Sequence, residues 1–361
     1  MIVLILSIIG VIIVFSLLVI AHEYGHFVTA RRNGVKVDEF GIGFPPKVFY
    51  RKKGGTIYSI NALPIGGFVR LRGEDGSVTG KGSFASASFR SKTKIIMAGV
   101  VVNFLIAYVI FTVLLWIGMP PIGQQLPSFG PIKPSTIETS ELTVLNVTKN
   151  SAAEKAGIKQ GDNILSINSQ KFTNNDELRS FTKQNAGKSV EITVKQNGVT
   201  KQYSVILGND EQSGILGISA QQISLQRYSW WAAPIAALYI MAMLVIATLA
   251  AFGNLILGIF TRGQVSEQVA GPIGIVSVFS QVVNFGPRFI LLFIASISLS
   301  LAVINALPLP ALDGGRQFIL ILQKLGLKIT PEKENFVHII GFVALIGLMI
   351  IISISDISKL L

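Results

Sequence analysis

The sequence opens on an uninterrupted apolar run, Met1 to Ile20, which ends in Ala21-His22-Glu23-Tyr24-Gly25-His26. This junction constrains the chain more than any other stretch. A run of that length and apolarity predicts a membrane-spanning helix. Ionisable side chains inside such a helix are expensive unless they pair or hold a metal. On a helix, His22 and His26 are four residues apart and share a face, so two imidazoles can grip one ion. Glu23 lies one step round, close enough to take a proton from a water held there. The third histidine of the chain, His338, begins a late apolar run with no ligand-spaced neighbour. It reads as structural or interfacial.

Half of the 361 residues are hydrophobic and only 14% are charged, which predicts several membrane spans around a soluble part. The chain has no cysteine, so a metal must be held by histidine and carboxylate. A net charge of +12 raises the question of nucleic acid, but its distribution answers it. Residues 27–94 carry 13 Lys/Arg against 4 Asp/Glu, whereas residues 120–231 carry 11 against 9. An excess of Lys and Arg beside spans marks the cytoplasmic side. The charge therefore reads as topology, and no nucleic-acid partner is expected.

No basic segment or small-residue cleavage pattern precedes the His-Glu motif, so the first helix is expected to be a retained span with its N-terminus outside. Between residues 36 and 94 the chain is basic and glycine-rich. Thr56 to Ile60 alternates, and Asn61 to Leu71 resumes after a turn, which predicts hairpins. They form either a cytoplasmic loop or a sheet dipping into the membrane face, whose edge can pair with an extended peptide. A second span covers Ile95 to Trp116 and contains Asn103, an amide expected to face a helix neighbour or the site.

A Pro/Gly-rich linker follows. Strand-like Leu142 to Val147, a short helix at Ser151 to Gly157, a strand at Asn163 to Ile167, a helix at Asn174 to Lys183 and two closing strands predict a compact α+β domain. Residues 230–260 are apolar enough to span. Topology argues that they lie along or dip into the outer leaflet instead. The third span, Phe289 to Leu307, must run in the same direction as the first if Asp313 is to meet His22 and His26. One crossing between them is required, and the second span supplies it. The last span is Phe336 to Ile354.

The other informative stretch is Asn305-Ala306-Leu307-Pro308-Leu309-Pro310-Ala311-Leu312-Asp313-Gly314-Gly315. Two prolines break the helix and two glycines permit close backbone approach. Irregular backbone at membrane depth is tolerated where protein or a wet cavity covers it. Asp313 is the expected third ligand. Three protein ligands leave the fourth position of a tetrahedral ion to water, the arrangement of a catalytic site. The donor set suits zinc, and other divalent ions are compatible.

Taken together, these motifs resemble the site-2 protease family of intramembrane zinc metalloproteases, in its bacterial branch that cleaves anti-sigma factors. The resemblance rests on the His-Glu-x-x-His helix, Gly41-Ile42-Gly43, Pro64 to Gly67, Gly271-Pro272-Ile273-Gly274, and the Asn305 to Gly315 stretch. The Ala156-Gly157 to Ile164 signature resembles a bacterial PDZ domain, whose groove binds a peptide or chain end or serves as a bulky gate. The resemblance implies zinc on His22, His26 and Asp313, with Glu23 as general base and acid. It implies substrate contacts at Asn305, Pro308, Gly66, Gly67 and Phe68. Relatives often have proline after the glycine of the second span, where this chain reads Ala98-Gly99-Val100.

The expected fold is a polytopic α-helical membrane protein with four spans and both termini outside. It carries a membrane-associated β-hairpin region and one inserted extracytoplasmic PDZ domain. The expected domains are a membrane half at 1–118, a linker at 119–140, the PDZ domain at 141–208, a linker at 209–229, an interfacial or re-entrant amphipathic region at 230–287 and a second membrane half at 288–361. The resemblance places the protein in the bacterial cytoplasmic (inner) membrane. Its expected partners are the lipid bilayer and pre-cleaved single-pass membrane proteins, such as anti-sigma factors or remnant signal peptides, cut within their transmembrane segments. The alternative is a non-catalytic PDZ-bearing receptor with a structural metal, and an intact Glu23 speaks against it because a staple needs no base.

Overall fold

A computed structural model of the chain describes residues 2–123, 126, 128, 130–196, 198–209, 215–262 and 269–360. Parts of the expected linkers (124, 125, 127, 129 and 210–214) and of the 230–287 region (263–268) lie outside the described residues. In chain order the elements are α1 (Ile2–Arg32), β1 (Val37–Lys53), β2 (Thr56–Leu71), α2 (Phe89–Ile117), β3 (Thr136–Val147), α3 (Ala152–Ala156), β4 (Asn163–Ile167), α4 (Asn175–Gln184), β5 (Ser189–Gln196), β6 (Val199–Ile206) and β7 (Ile218–Arg227). Then come α5 (Ala232–Arg262), α6 (Pro272–Val282), a 3₁₀ turn (Val283–Phe285), α7 (Pro287–Ala306), α8 (Asp313–Lys324) and α9 (Pro331–Leu360). Helices α1, α2, α5, α7 and α9 are each long and apolar enough to cross a membrane. Helix α5, expected to lie along one face, matches the other four in length and composition.

The chain divides into two compact units, and the division falls inside α2, α5, α6 and α7. The first unit comprises residues 1–110, 240–280 and 293–361. Here β1 and β2 are long strands that fold back on themselves. The first half of β1 is paired on both sides: Phe40 faces both Tyr58 and Val69, and Gly41 faces both Ser59 and Phe68. The second half of β1 pairs with β2 from Lys47↔Asn61 to Lys53↔Thr56. The two strands therefore make four sheet segments, and their edges are 47–53 and 67–71. Glu39 is buried at the centre, where Lys47 Nζ (2.8 Å) and Ser59 Oγ (2.7 Å) donate to it. An apolar cluster around Phe27, Ala30, Val37, Leu71, Ile95 and Ile96 packs the sheet against α1 and α2.

Glycine lets α1 and α2 approach. A Cβ at Gly25 would stand 2.8 Å from both the Ala98 carbonyl oxygen and Val102 Cγ2, closer than packed atoms allow. In the same unit, Phe279 of α6 covers Gly10 of α1, and Asp356 of α9 accepts the N–H of Gly274 at 2.8 Å.

The second unit comprises residues 111–239 and 281–292. Its centre is a five-stranded antiparallel sheet in the order β6-β5-β4-β3-β7, around a core that includes Leu142, Val144, Ile167, Ile192, Val194 and Leu207. Helix α3 starts where the Ser151 side chain accepts the N–H of Glu154 and stops at Gly157, at φ 89°. Helix α4 is capped in the same way by Asn174, which accepts the N–H of Glu177. Strand β3 begins at Thr136, six residues before alternation starts in the sequence, because its first half is held by β7 (Thr136↔Arg227). Strand β7 itself lies in a stretch whose polar, glycine-bearing sequence reads as linker. Cross-strand pairing, a non-local interaction, makes both segments strands.

Candidate active site

Helix α1 presents His22 and His26, both buried, on the face toward α2. Their Nε2 atoms are 3.1 Å apart. Asp313, the first residue of α8, places Oδ2 3.0 Å from His22 Nε2 and 3.3 Å from His26 Nε2. These are the described residues that combine at least three potential metal-donor side chains in one cluster. The spacing suits a small tetrahedral ion. Donors on bonds of about 2.0–2.1 Å at a tetrahedral angle stand about 3.3 Å apart.

Hydrogen bonding makes the same point. His26 Nδ1 lies 2.7 Å from the Ile95 carbonyl, to which it must donate. In the neutral ring, Nε2 is then a lone pair aimed at Asp313. His22 Nδ1 is 3.5 Å from the Asn103 amide nitrogen, and Asn103 Oδ1 is buried without a partner. With the amide turned over, His22 Nδ1–H donates to Oδ1 and its Nε2 is also a lone pair. Asp313 Oδ2 is buried without a hydrogen-bond donor. Three lone-pair donors thus converge on one point, an arrangement that repels itself unless a cation sits there. Asn103 is in turn fixed by Ser298 of α7, whose Oγ donates to the Asn103 carbonyl at 2.8 Å.

Clearance for this cluster comes from Gly99. A Cβ there would stand 2.5 Å from both His22 Nε2 and His26 Nε2. The sequence singles out Gly99 only for lacking a following proline, and its place opposite the two imidazoles becomes visible in the packed helices.

Asp313 reaches the histidines through the broken backbone ahead of it. Ala311 adopts φ 73°, and its N–H donates to His338 Nδ1 at 2.9 Å. Gly314 and Gly315 are buried, and side chains there would run into the carbonyls of Ala306, Leu307 and Leu309. Helix α8 is held in place by Arg316, which bonds the Glu74 carboxylate and carbonyl and lies over the Phe84 ring. A polar cavity of about 500 Å³ borders Asp313, with Arg70, Glu74, Arg316, Glu334 and His338 in its wall.

Glu23 sits beside the edge segment 67–71. Its Oε2 accepts the N–H of Val69 at 3.0 Å. Gly66 (φ 72°) and Gly67 are buried against α1, where Ser16 Oγ accepts the Gly66 N–H and donates to the Pro64 carbonyl. A Cβ at Gly67 would stand 3.9 Å from Glu23 Cγ, and the Phe68 ring covers Gly41. The candidate substrate-contact residues of β2 therefore run alongside Glu23. Asn305 is half-buried at the end of α7 and Pro308 is exposed in the loop that follows.

A His-Glu-x-x-His helix and a distant aspartate, closing on one point among apolar helices, define a membrane-embedded metallohydrolase. The chain belongs to peptidase family M50, the site-2 proteases, which it matches over residues 10–348. It is 34% identical over 355 residues to a protein of Clostridium acetobutylicum, covering 97% of each chain. It is 29% identical over 439 residues to the regulator of sigma-W protease RasP of Bacillus subtilis, covering 98% of this chain and 99% of that one. Other relatives are named zinc metalloproteases. Among solved structures it is similar to the PDZ domain of an SdrC-like protein from Listeria monocytogenes, at 21% identity and a TM-score of 0.21, over 22% of this chain and 87% of that one. The protein is an intramembrane metalloendopeptidase, and zinc is its cofactor.

Proposed function

We propose that the protein cuts single-pass membrane proteins within their transmembrane segments, after an earlier cleavage has removed most of their ectodomain. His22, His26 and Asp313 would hold the zinc. The observation that carries this reading is the convergence of His22 Nε2, His26 Nε2 and Asp313 Oδ2 within 3.0–3.3 Å of one another, next to Glu23. Zinc bound there supplies a Lewis acid that makes water acidic and polarises the scissile carbonyl. Glu23 accepts the proton of the attacking water and returns it to the leaving amine.

A transmembrane helix hides its carbonyls in its own hydrogen bonds, so the substrate must unwind before it is cut. Segment 67–71 is a sheet edge beside Glu23, and an unwound strand that pairs with it regains backbone hydrogen bonds. Gly66, Gly67 and Phe68 then contact the substrate main chain, with Asn305 and Pro308 on the other side. The α+β domain acts as a PDZ domain on the extracytoplasmic face, where it takes a chain end or excludes large ectodomains.

For topology, α1, α2, α7 and α9 cross the bacterial inner membrane with both termini outside, and the α5–α6 region stays in the outer leaflet. Phe279 of α6 supports this. It lies at Gly10, 12 residues before His22 in α1, or about 18 Å of helix away. The relative named as a regulator of sigma-W suggests membrane-bound anti-sigma factors among the substrates, and remnant signal peptides meet the same description.

The test uses a single-pass helical substrate with its ectodomain removed. Wild-type and Glu23→Gln proteins are reconstituted in lipid, and zinc is measured in both. Cleavage by wild type alone, with zinc in both, is expected. Zinc in both without cleavage of any such substrate would sink the substrate class, and loss of zinc retention in a His22→Ala control must accompany it for the site to stand.

A further inference from the structure

The sheet of the first unit carries an aromatic groove on the face that packs against α1. Three strand segments are in register there, so residues two apart on each segment line up in rows across them. One row is Phe49, Ile60 and Ile42, and the next is Arg51, Tyr58 and Phe40. Phe27 of α1 packs on the second row, with its ring centroid 5.4 Å from that of Phe40 and 6.0 Å from that of Tyr58. Tyr24, one turn back, lies 6.0 Å from Phe27. These side chains enclose a groove of about 280 Å³. Tyr24, Phe49 and Ile60 are each more than half exposed, so the groove stands open along that side.

Helix α1 and the sheet turn from apolar to basic at the same level. Ser16 bonds Pro64 and Gly66, Glu23 bonds Val69, and Phe27 meets Phe40 and Tyr58, so the rows advance along the sheet as α1 advances to its end. One turn beyond Phe27 comes Arg31, whose guanidinium lies 5.4 Å from the centre of the Phe27 ring. In the sheet, Phe49 gives way to Arg51 and then Lys53 on the same side of the strand. Neither Arg31 nor Arg51 has an ion-pair partner among the described residues. The two acids of these strands are placed elsewhere. Glu39 is engaged by Lys47 and Ser59, and Asp38 borders the cavity beside Asp313. Two guanidiniums without carboxylates, at the rim of an apolar groove where a spanning helix ends, complement a ligand with an anionic head and a hydrocarbon tail.

We propose that this groove binds one anionic phospholipid from the leaflet in which α1 ends, with an acyl chain along Tyr24, Phe49 and Ile60 and the phosphate between Arg31 and Arg51. The proposal goes beyond the protease reading and does not require it. The site is separate from the metal cluster but joined to it through the sheet. Arg51 faces Tyr58, Tyr58 faces Phe40 and Phe40 faces Val69, whose N–H is held by Glu23. A lipid that fixes one end of this row steadies the edge segment 67–71 at the other.

The experiment counts bound lipid and needs no substrate. Full-length protein, stripped of lipid in neutral detergent, is titrated with phosphatidylglycerol or with phosphatidylcholine of the same chains, and occupancy is read by native mass spectrometry. Phosphatidylglycerol is expected to fill a first site roughly tenfold more tightly, the scale for two basic residues at headgroup level. Arg31→Gln combined with Arg51→Gln should erase that preference, and Arg31→Lys with Arg51→Lys should keep part of it. Arg32→Gln with Lys52→Gln removes two charges from the same end of the molecule, and should leave the preference in place. Phe49→Ala takes away one wall of the groove and should weaken phosphatidylglycerol binding several-fold. In nanodiscs, phosphatidylglycerol in place of phosphatidylcholine should slow amide exchange of residues 56–60 and 67–71 in wild type but not in the Arg31→Gln, Arg51→Gln protein. Equal binding of the two lipids, or a preference that survives the loss of both arginines, overturns the proposal. An equal loss in the Arg32, Lys52 pair overturns it too, since the attraction would then belong to the charged surface as a whole. So does removal of the bound lipid by a wash with inorganic phosphate, beyond that by chloride of equal ionic strength, because the rim would then be a site for free phosphate. Exchange that is the same in both lipids would overturn the link to Val69.

Discussion

The carboxylate of Glu23 accepts the main-chain N–H of Val69 across 3.0 Å, which joins the candidate base to the sheet edge 67–71. The bond sets the reach of the side chain. Glu23→Asp shortens it by one methylene and pulls the carboxylate away from Val69. We expect turnover to fall by roughly 10²-fold or more, the scale of a displaced general base, while bound zinc stays at the wild-type level. Turnover and zinc stoichiometry on one preparation check this. A fall in zinc to match the loss of turnover would make Glu23 a ligand support and not a base.

His338 holds the loop that delivers Asp313. Its Nδ1 accepts the N–H of Ala311, a non-glycine residue at φ 73°. Replacing the ring with Leu leaves that N–H unpaired and frees a strained residue two positions before Asp313, the candidate ligand. Groups that orient ligands typically change metal affinity by roughly 10–100-fold. We therefore expect His338→Leu to lose zinc to a chelator at concentrations about tenfold lower or more, with the helices intact by circular dichroism. Unchanged zinc affinity would return His338 to a packing role.

The sequence shows what is local and hides what is assembled. Helix α1 and its His-Glu-x-x-His face follow from spacing alone, and so does the helix break before Asp313. The caps at Ser151 and Asn174 are four-residue patterns that any reader of the chain can place. The roles of Gly99 and His338 are invisible there, and Asn103 shows only as an amide that faces a helix neighbour or the site, because each acts on a residue far along the chain. Gly99 gives two imidazoles room, Asn103 faces one of them and His338 receives an amide from another element. Strand β7 is hidden for the same reason, since its partner β3 precedes it by some 80 residues. Hydropathy describes α5 fully, yet cannot say whether an apolar helix crosses a bilayer or lies in it.

Glu39 predicts a pH dependence for the sheet. Burial alone would raise its pKa, but hydrogen bonds from Lys47 and Ser59, with Arg70 nearby, outweigh that and hold it below the ordinary 4.5. A carboxylate depressed in the folded state adds stability that is present above its unfolded pKa and is lost as pH falls through the folded value. Amide exchange in residues 37–44 should accordingly quicken below about pH 4.5. In Glu39→Gln this acid step should vanish. The variant should also exchange about tenfold faster at neutral pH, as expected for about 1–2 kcal/mol lost from a buried charge-assisted pair. An identical acid profile in the variant would assign the step to another group.

Gly99 offers the sharpest test of the packed site. Its missing Cβ would lie 2.5 Å from the Nε2 atoms of both His22 and His26. The obstacle is met by two imidazoles at once, each pinned through its other nitrogen to α2, so neither ring can swing aside cheaply. Gly99→Ala should push the imidazoles out of register with Asp313 and abolish zinc retention and turnover together. Gly25→Ala is the informative comparison. Its Cβ would meet the Ala98 carbonyl and Val102 at 2.8 Å and no metal-facing atom. It should lower thermal stability by separating α1 from α2, by roughly 1–3 kcal/mol for an overpacked contact, and retain more zinc than Gly99→Ala. Full zinc occupancy in Gly99→Ala would show that the ion does not sit where His22 and His26 converge.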